Sequence, residues 1–214
     1  MSISAPTSAP VSAPRPFNQK KRILLLWLLA IGFGALIMLT QPRIPEGSYW
    51  HEIIESCGLA LVLAAVLGRL WSILYIGSKK NSELVTLGPY SMTRNPLYFF
   101  SITGLAGIGL IFGSLVATLG LLLTASLVFR YTARREAAFL HAKFGNSYED
   151  YARQTPLIFP RRVLYASSDE VTFSVKALVT TFRDCLPFLA LYPLIELVEY
   201  LHGSGALHAL VQLP

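Results

Sequence analysis

A chain of 214 residues is long enough for one domain, and 53% of its residues are hydrophobic while only 14% are charged. Soluble domains carry about 25% charged residues, so the composition excludes an ordinary soluble fold and points to a bilayer. The formal net charge of +6 comes from basic residues flanking apolar runs, which argues for membrane orientation and against a nucleic-acid-binding surface.

The leader, residues 1–19, is rich in Ser, Ala and Pro as far as Pro16 and is predicted to be disordered. Lys20, Lys21 and Arg22 then introduce an apolar run from Ile23 to Thr40. A cleaved signal peptide has a shorter apolar core and a small-residue cleavage site, so a retained first transmembrane helix is expected. After a loop from Gln41 to Glu52, a second span covers Ile53 to Gly77, with Glu55 near its start and Arg69 deep inside. An unpaired charge at that depth is costly, so Arg69 is expected either to line a site or to find a partner such as Glu55.

Residues 95–129 contain no Asp, Glu, Lys or Arg, which allows two short crossings of about 17 residues each. The predicted spans are Leu97 to Phe112 and Leu115 to Phe129, turning at Gly113-Ser114. The polar stretch from Arg130 to Ser168 is expected to lie on the membrane surface, much of it as an amphipathic helix, with Phe144-Gly145 as a cap and restart. The last apolar region, Leu186 to Leu201, contains Pro187, Pro193, Glu196 and Glu199 and reads equally as a fifth span or an interfacial or re-entrant helix. Arg15, Lys20, Lys21, Arg22, Lys79, Lys80, Arg94 and the seven basic residues from Arg130 to Arg162 all fall on one side of this topology. The positive-inside rule makes that side cytoplasmic. Cys57 and Cys185 lie far apart, and His51, His141, His202 and His208 show no ligand spacing with a third donor. No metal site is expected.

Two polar clusters flank the apolar hairpin: Leu87 to Tyr98 before it, and Arg130, Arg134, Arg135 and Glu136 after it. A hairpin that leaves and re-enters on one side brings them to one membrane face, where converging polar groups suggest a site. By composition alone, Arg94 is equally a positive-inside anchor, and Tyr90, Tyr98, Tyr148 and Tyr151 an interfacial aromatic belt. Arg130 is equally a snorkelling residue.

The residues themselves resemble a family. Gly88-Pro89-Tyr90 followed by Arg94-Asn95-Pro96-Leu97-Tyr98 resembles the first signature of integral-membrane methyltransferases of the isoprenylcysteine carboxyl methyltransferase and phospholipid methyltransferase group. Glu136-Ala137-Ala138-Phe139-Leu140, Phe144-Gly145, Tyr148, Tyr151 and Pro160 resemble its second, and Arg69-Leu70-Trp71 with Gly77 a weaker one upstream. The likeness covers Gly68 to Arg161. Three positions depart from it: Asn95 stands where histidine is frequent, Phe100 where glycine is, and Ala137 where a second glutamate is.

The resemblance implies an all-α integral-membrane bundle of four or five transmembrane helices with a cytoplasmic cofactor-binding cap, in a bacterial inner membrane. It implies S-adenosyl-L-methionine as cofactor and methyl transfer to an amphiphilic acceptor, a carboxylate or a lipid headgroup, arriving among the membrane lipids. The implied cofactor-binding residues are Tyr90, Arg94, Asn95, Pro96, Tyr98, Glu136, Tyr148 and Tyr151, with Arg94 and Arg130 as catalytic residues. The methyltransferase domain would occupy residues 20–168, followed by a C-terminal amphipathic or transmembrane segment over 169–214. The chemistry agrees: an arginine can grip a carboxylate in two places, a glutamate an ammonium, and tyrosine faces a sulfonium. No strand, glycine-rich turn and helix follow one another as a dinucleotide fingerprint requires. Two other classes remain open: a membrane-embedded reductase using NADPH, and a non-enzymatic membrane protein or small transporter.

Overall fold

The computed structural model describes residues 19–42, 48–79 and 82–213. The leader expected over residues 1–19 lies outside them except for its last residue, as do Arg43, Glu46 and Lys80. The described chain is almost entirely helical: α1 (Gln19–Leu39), α2 (Tyr49–Ile76), the single turn α3 (Pro89–Met92), α4 (Pro96–Ile111), α5 (Leu115–Phe144), α6 (Asn146–Gln154) and α7 (Val175–Gly203). A short pair of parallel strands, β1 (Thr40–Pro42) and β2 (Val211–Leu213), ties the end of α1 to the C-terminal tail.

Helix starts follow local capping chemistry. Ser48, Ser114 and Ser174 accept hydrogen bonds from the backbone N–H three residues on, at 3.2, 3.2 and 3.3 Å, satisfying donors that the helix cannot. Pro96 opens α4 at a position where no N–H is needed. Gly113, with φ +71°, supplies the left-handed turn between α4 and α5.

Among the described residues, α2, α5 and α7 are long and apolar enough to cross a membrane, and α4 and residues 30–39 of α1 are shorter apolar helices. Helix α4 sits at the centre, packed mainly on α2 and then on α5 and α7. Its small residues let neighbouring backbones approach. A Cβ placed on Gly58 of α2 would stand 2.7 Å from the Gly107 carbonyl oxygen of α4, and one on Gly109 would stand 2.6 Å from Thr118 Cα of α5. One apolar core, including Ile37, Val62, Ile108, Ile111, Phe112 and Ile195, joins α1, α2, α4 and α7. A second, of Tyr98, Ile102, Ala125, Phe129, Ala133 and Ile158, lies towards the opposite end.

One expectation needs correction, and two details of the spans are now fixed. The polar stretch after Phe129 is not a separate surface helix, because α5 continues unbroken for 30 residues to Phe144. Hydropathy falls there, but the residues that follow remain good helix formers. Only α6 is a distinct amphipathic helix, and residues 155–174 carry no more than a 3-10 turn at Arg162–Leu164. Pro187 and Pro193 do not interrupt α7, which runs on for 29 residues and packs Phe188 over Gly104. Arg69 pairs with Ser101 of α4, not with Glu55, whose carboxylate accepts the Tyr192 hydroxyl at 2.9 Å.

Candidate functional site

The site begins with the turn before α4. Gly88 has φ +61°, and a Cβ there would collide with the Tyr75 ring, so glycine is required on two counts. Pro89 then starts the single turn of α3, and Thr93 returns to extended backbone. This short motif's own hydrogen bonds are local, such as Ser91 N–H and Oγ to Gly88 O and Thr93 N–H to Pro89 O, and do not by themselves place it in the fold. It is held by a segment from far along the chain.

That segment, residues 155–166, lies along the motif and bonds to it repeatedly. The Gly88 N–H donates to Ala166 O at 2.7 Å, the Arg94 N–H to Pro156 O at 2.9 Å, and the Arg161 N–H to Met92 O at 3.0 Å. Side chains complete the seam: Thr93 Oγ1 donates to Ile158 O at 2.9 Å, Asn95 Nδ2 to Leu157 O at 2.9 Å, and the Ala166 N–H to Ser91 Oγ at 3.0 Å. Each bond contributes about 0.5–1.5 kcal/mol net, and together they fix the loop against this segment.

Against this wall the two motifs meet. Arg94 Nη1 donates to Tyr148 Oη at 3.3 Å, and the Tyr151 hydroxyl donates to the Tyr90 carbonyl at 2.6 Å. The Tyr148 and Tyr151 rings stand edge to face at 6.2 Å. Burial pushes the Tyr90 phenol above its usual range, helped by Tyr151, the Glu136 carboxylate and Tyr98, and opposed by Arg69. Those neighbours place α2, α3, α4, α5 and α6 around one point. Tyr151 is likewise raised, first by burial and then by Tyr148, with Arg94 opposing. Both phenols therefore hold their protons at neutral pH, and the Tyr151 hydroxyl serves as a donor. The buried Nε atoms of Arg69 and Arg94 have no hydrogen-bond partner, which is costly unless something else satisfies them.

The other expected residues fall out differently. Tyr98 stacks on Phe129 with centroids 4.9 Å apart, so one face of its ring belongs to the α4–α5 packing. Asn95 is occupied in holding Leu157, and Pro96 is buried as the first residue of α4. The Phe100 ring packs onto Gly68 of α2. Arg130 is exposed and borders a separate cavity of about 220 Å³ with Ile102, Ser126 and Pro156 to Phe159. Sequence reasoning gave no role to Ser91, Thr93 or Ser101, and it named Pro160 of the 155–166 segment without foreseeing the segment's contacts. Buried hydroxyls within a conspicuous motif were the available signal for the first two.

Residues 53–147 match the phospholipid methyltransferase family. Across 188 residues the chain is 34% identical to the cobalt-zinc-cadmium resistance protein CzcN of Cupriavidus metallidurans, covering 88% of this chain and 87% of that protein. The chain belongs to the phospholipid methyltransferase family. A second relative of nearly full length, the nickel-cobalt-cadmium resistance protein NccN of Alcaligenes xylosoxydans xylosoxydans, is 30% identical over 206 residues, 95% of this chain and 96% of that protein. The protein-S-isoprenylcysteine O-methyltransferase of Schizosaccharomyces pombe is 33% identical over 87 residues, 40% of this chain and 37% of that enzyme. No solved structure matches the chain. Membership of the phospholipid methyltransferase family supports a methyltransferase, and the long apolar helices support an integral-membrane one. Arg69, the Gly88–Tyr98 motif and Glu136 lie inside the matched residues, whereas Tyr148, Tyr151 and the 155–166 segment lie just beyond them.

Proposed function

We propose that this chain transfers the methyl group of S-adenosyl-L-methionine to an amphiphilic acceptor that reaches the site from the bilayer. The observation that carries this reading is the pair of buried, unpartnered guanidinium Nε atoms on Arg69 and Arg94, beside Glu136, Tyr90 and Tyr151. Such a donor set fits the cofactor's carboxylate, with Arg94 as its holder and Arg69 behind it, while Glu136 fits the ammonium. Tyr148 and Tyr151 act as positioning residues, one on the Arg94 guanidinium and one on the Tyr90 carbonyl.

When bound, S-adenosyl-L-methionine would supply a methyl group activated by its cationic sulfonium for transfer to an electron pair of the acceptor, with S-adenosylhomocysteine as the leaving group. The protein's share is to align the reactants and exclude water. The Asn95 amide cannot take a proton and is bonded to Leu157 O, and Tyr90 and Tyr151 keep their own protons at neutral pH, so neither phenol is free to accept one. An acceptor that is already ionised needs no base, so a carboxylate is favoured over a protonated amine. Arg130, which lines its own cavity, is the residue we assign to orienting such an acidic group.

Methyl-labelled cofactor incubated with membranes containing the protein tests this. Label should enter the lipid extract in a form that alkali releases as methanol, and Arg94→Ala should abolish it. Label that resists alkali would indicate a headgroup nitrogen, and no transfer to lipid or protein would contradict the reading. The two near-full-length relatives are named for metal resistance. We extend that setting to this chain: methylation of a membrane component supports metal tolerance, and Arg94→Ala should fail where wild type restores growth in cobalt. We also place the site on the cytoplasmic side of a bacterial inner membrane, from the distribution of basic residues. A cysteine at Asn146, in a cysteine-free background, should resist an impermeant thiol reagent in intact cells.

A further inference from the structure

The 155–166 segment has an outer face as distinctive as its inner one. Phe159, Val163 and Tyr165 are 66%, 90% and 51% exposed, and Arg161 and Arg162 between them are exposed as well. No acidic residue occurs from Thr155 to Ser168. Three bulky apolar groups held in water would be unfavourable by about 1.5–3 kcal/mol each relative to burial.

Its neighbours give the level at which this face lies. The exposed side of α5 runs Leu119, Leu123 and Leu127, then changes to Arg130, Tyr131, Arg134 and Arg135. That change from leucine to tyrosine and arginine marks the boundary between hydrocarbon and headgroups. Phe159 shares a cavity with Arg130 and Ser126 at this boundary, and Tyr165 lies 6.0 Å from Trp71 of α2. The segment therefore crosses from α5 to α2 at headgroup height, carrying arginines beside apolar side chains.

We propose that this face docks on anionic phospholipid, with Arg161, Arg162 and Arg130 at the phosphates and Phe159 and Val163 among the upper acyl carbons. Its inner side carries Pro156 O, Ile158 O, the Arg161 N–H and Ala166 O, which hold the Gly88–Arg94 motif. Docking thus steadies the motif through the same residues. This holds whether or not the site binds a methyl donor.

The full chain in nanodiscs of phosphatidylcholine, with or without phosphatidylglycerol, tests it by amide hydrogen exchange and by native mass spectrometry of retained lipid. Phosphatidylglycerol should be retained and should slow exchange severalfold over residues 88–94 and 158–166, while residues 190–200 stay unchanged. Arg161→Ala and Arg162→Ala should each lower retention about fivefold, and the double variant should exchange in both lipids as wild type does in phosphatidylcholine. Val163→Ser should reduce the protection without changing residues 190–200. Equal exchange and retention in the two lipids would overturn the proposal. So would protection that depends on two copies per disc, which would make the cover a second chain.

Discussion

At the motif end of the bundle, backbone groups hold the geometry: main-chain atoms of residues 156–166 fix the Gly88–Asn95 loop, and guanidinium atoms of Arg69 and Arg94 are left over. At the far end, side-chain pairs between helices do much of the holding, beside the backbone pairing of β1 with β2. His51 Nε2 and Glu199 Oε2 stand 4.0 Å apart, almost fully buried between α2 and α7, and Tyr192 donates to Glu55 one turn further in. The His202 ring contacts Met38 O at 3.3 Å, and β2 pairs with β1 beside it. The contrast separates two uses of buried polarity in a membrane protein. Polar groups that face one another across helices join them, even where one atom, His51 Nδ1, is left without a hydrogen bond. Polar groups kept in place by backbone, with donors to spare, are what a ligand needs.

Substitutions at the two ends should therefore dissociate. Arg94→Ala should weaken S-adenosylhomocysteine binding by about tenfold to a hundredfold, the worth of a charge-assisted contact, with thermal unfolding in detergent nearly unchanged. Arg94→Lys should restore part of the affinity, because it keeps the charge and loses the planar fork. Glu199→Ala should do the reverse. It removes the carboxylate facing buried His51 and should lower stability by about 1–3 kcal/mol, with cofactor affinity intact in calorimetry. A large affinity loss in Glu199→Ala would mean that the two ends are coupled and the comparison fails.

Two smaller effects sharpen it. Thr93→Val keeps the shape but removes the donor to Ile158 O, and should cost about 1 kcal/mol while speeding amide exchange over residues 155–166. The raised phenols give a pH signature. In the folded state Tyr90 and Tyr151 keep their protons above the pH at which an unfolded tyrosine, near about 10, releases its own. Their contribution is complete below that value and is lost as pH rises beyond it. Unfolding in detergent between pH 8 and 11, set as a test range around that value, should show stability falling at the alkaline end, less steeply in Tyr90→Phe.

Much of the fold was legible because it is local. The uncharged run over residues 95–129 marked the hairpin, Gly113-Ser114 its turn, and Gly145 the break before α6. The continuation of α5 past Phe129 was not, since hydropathy reports lipid contact and a helix can leave the bilayer intact. Within the candidate site, the approach of Arg94 to Tyr148 followed from two motifs flanking one hairpin. Asn95 reaching Leu157, Arg69 reaching Ser101, and the whole 155–166 seam did not. These contacts join residues far apart in sequence through backbone acceptors, which leave no pattern in side-chain identity.

The most direct test is calorimetric titration of the purified protein in detergent with S-adenosylhomocysteine and, separately, NADPH. The account predicts micromolar binding of S-adenosylhomocysteine, strongly reduced in Arg94→Ala, and much weaker binding of NADPH. Tighter binding of NADPH, or no response to either ligand, would contradict it.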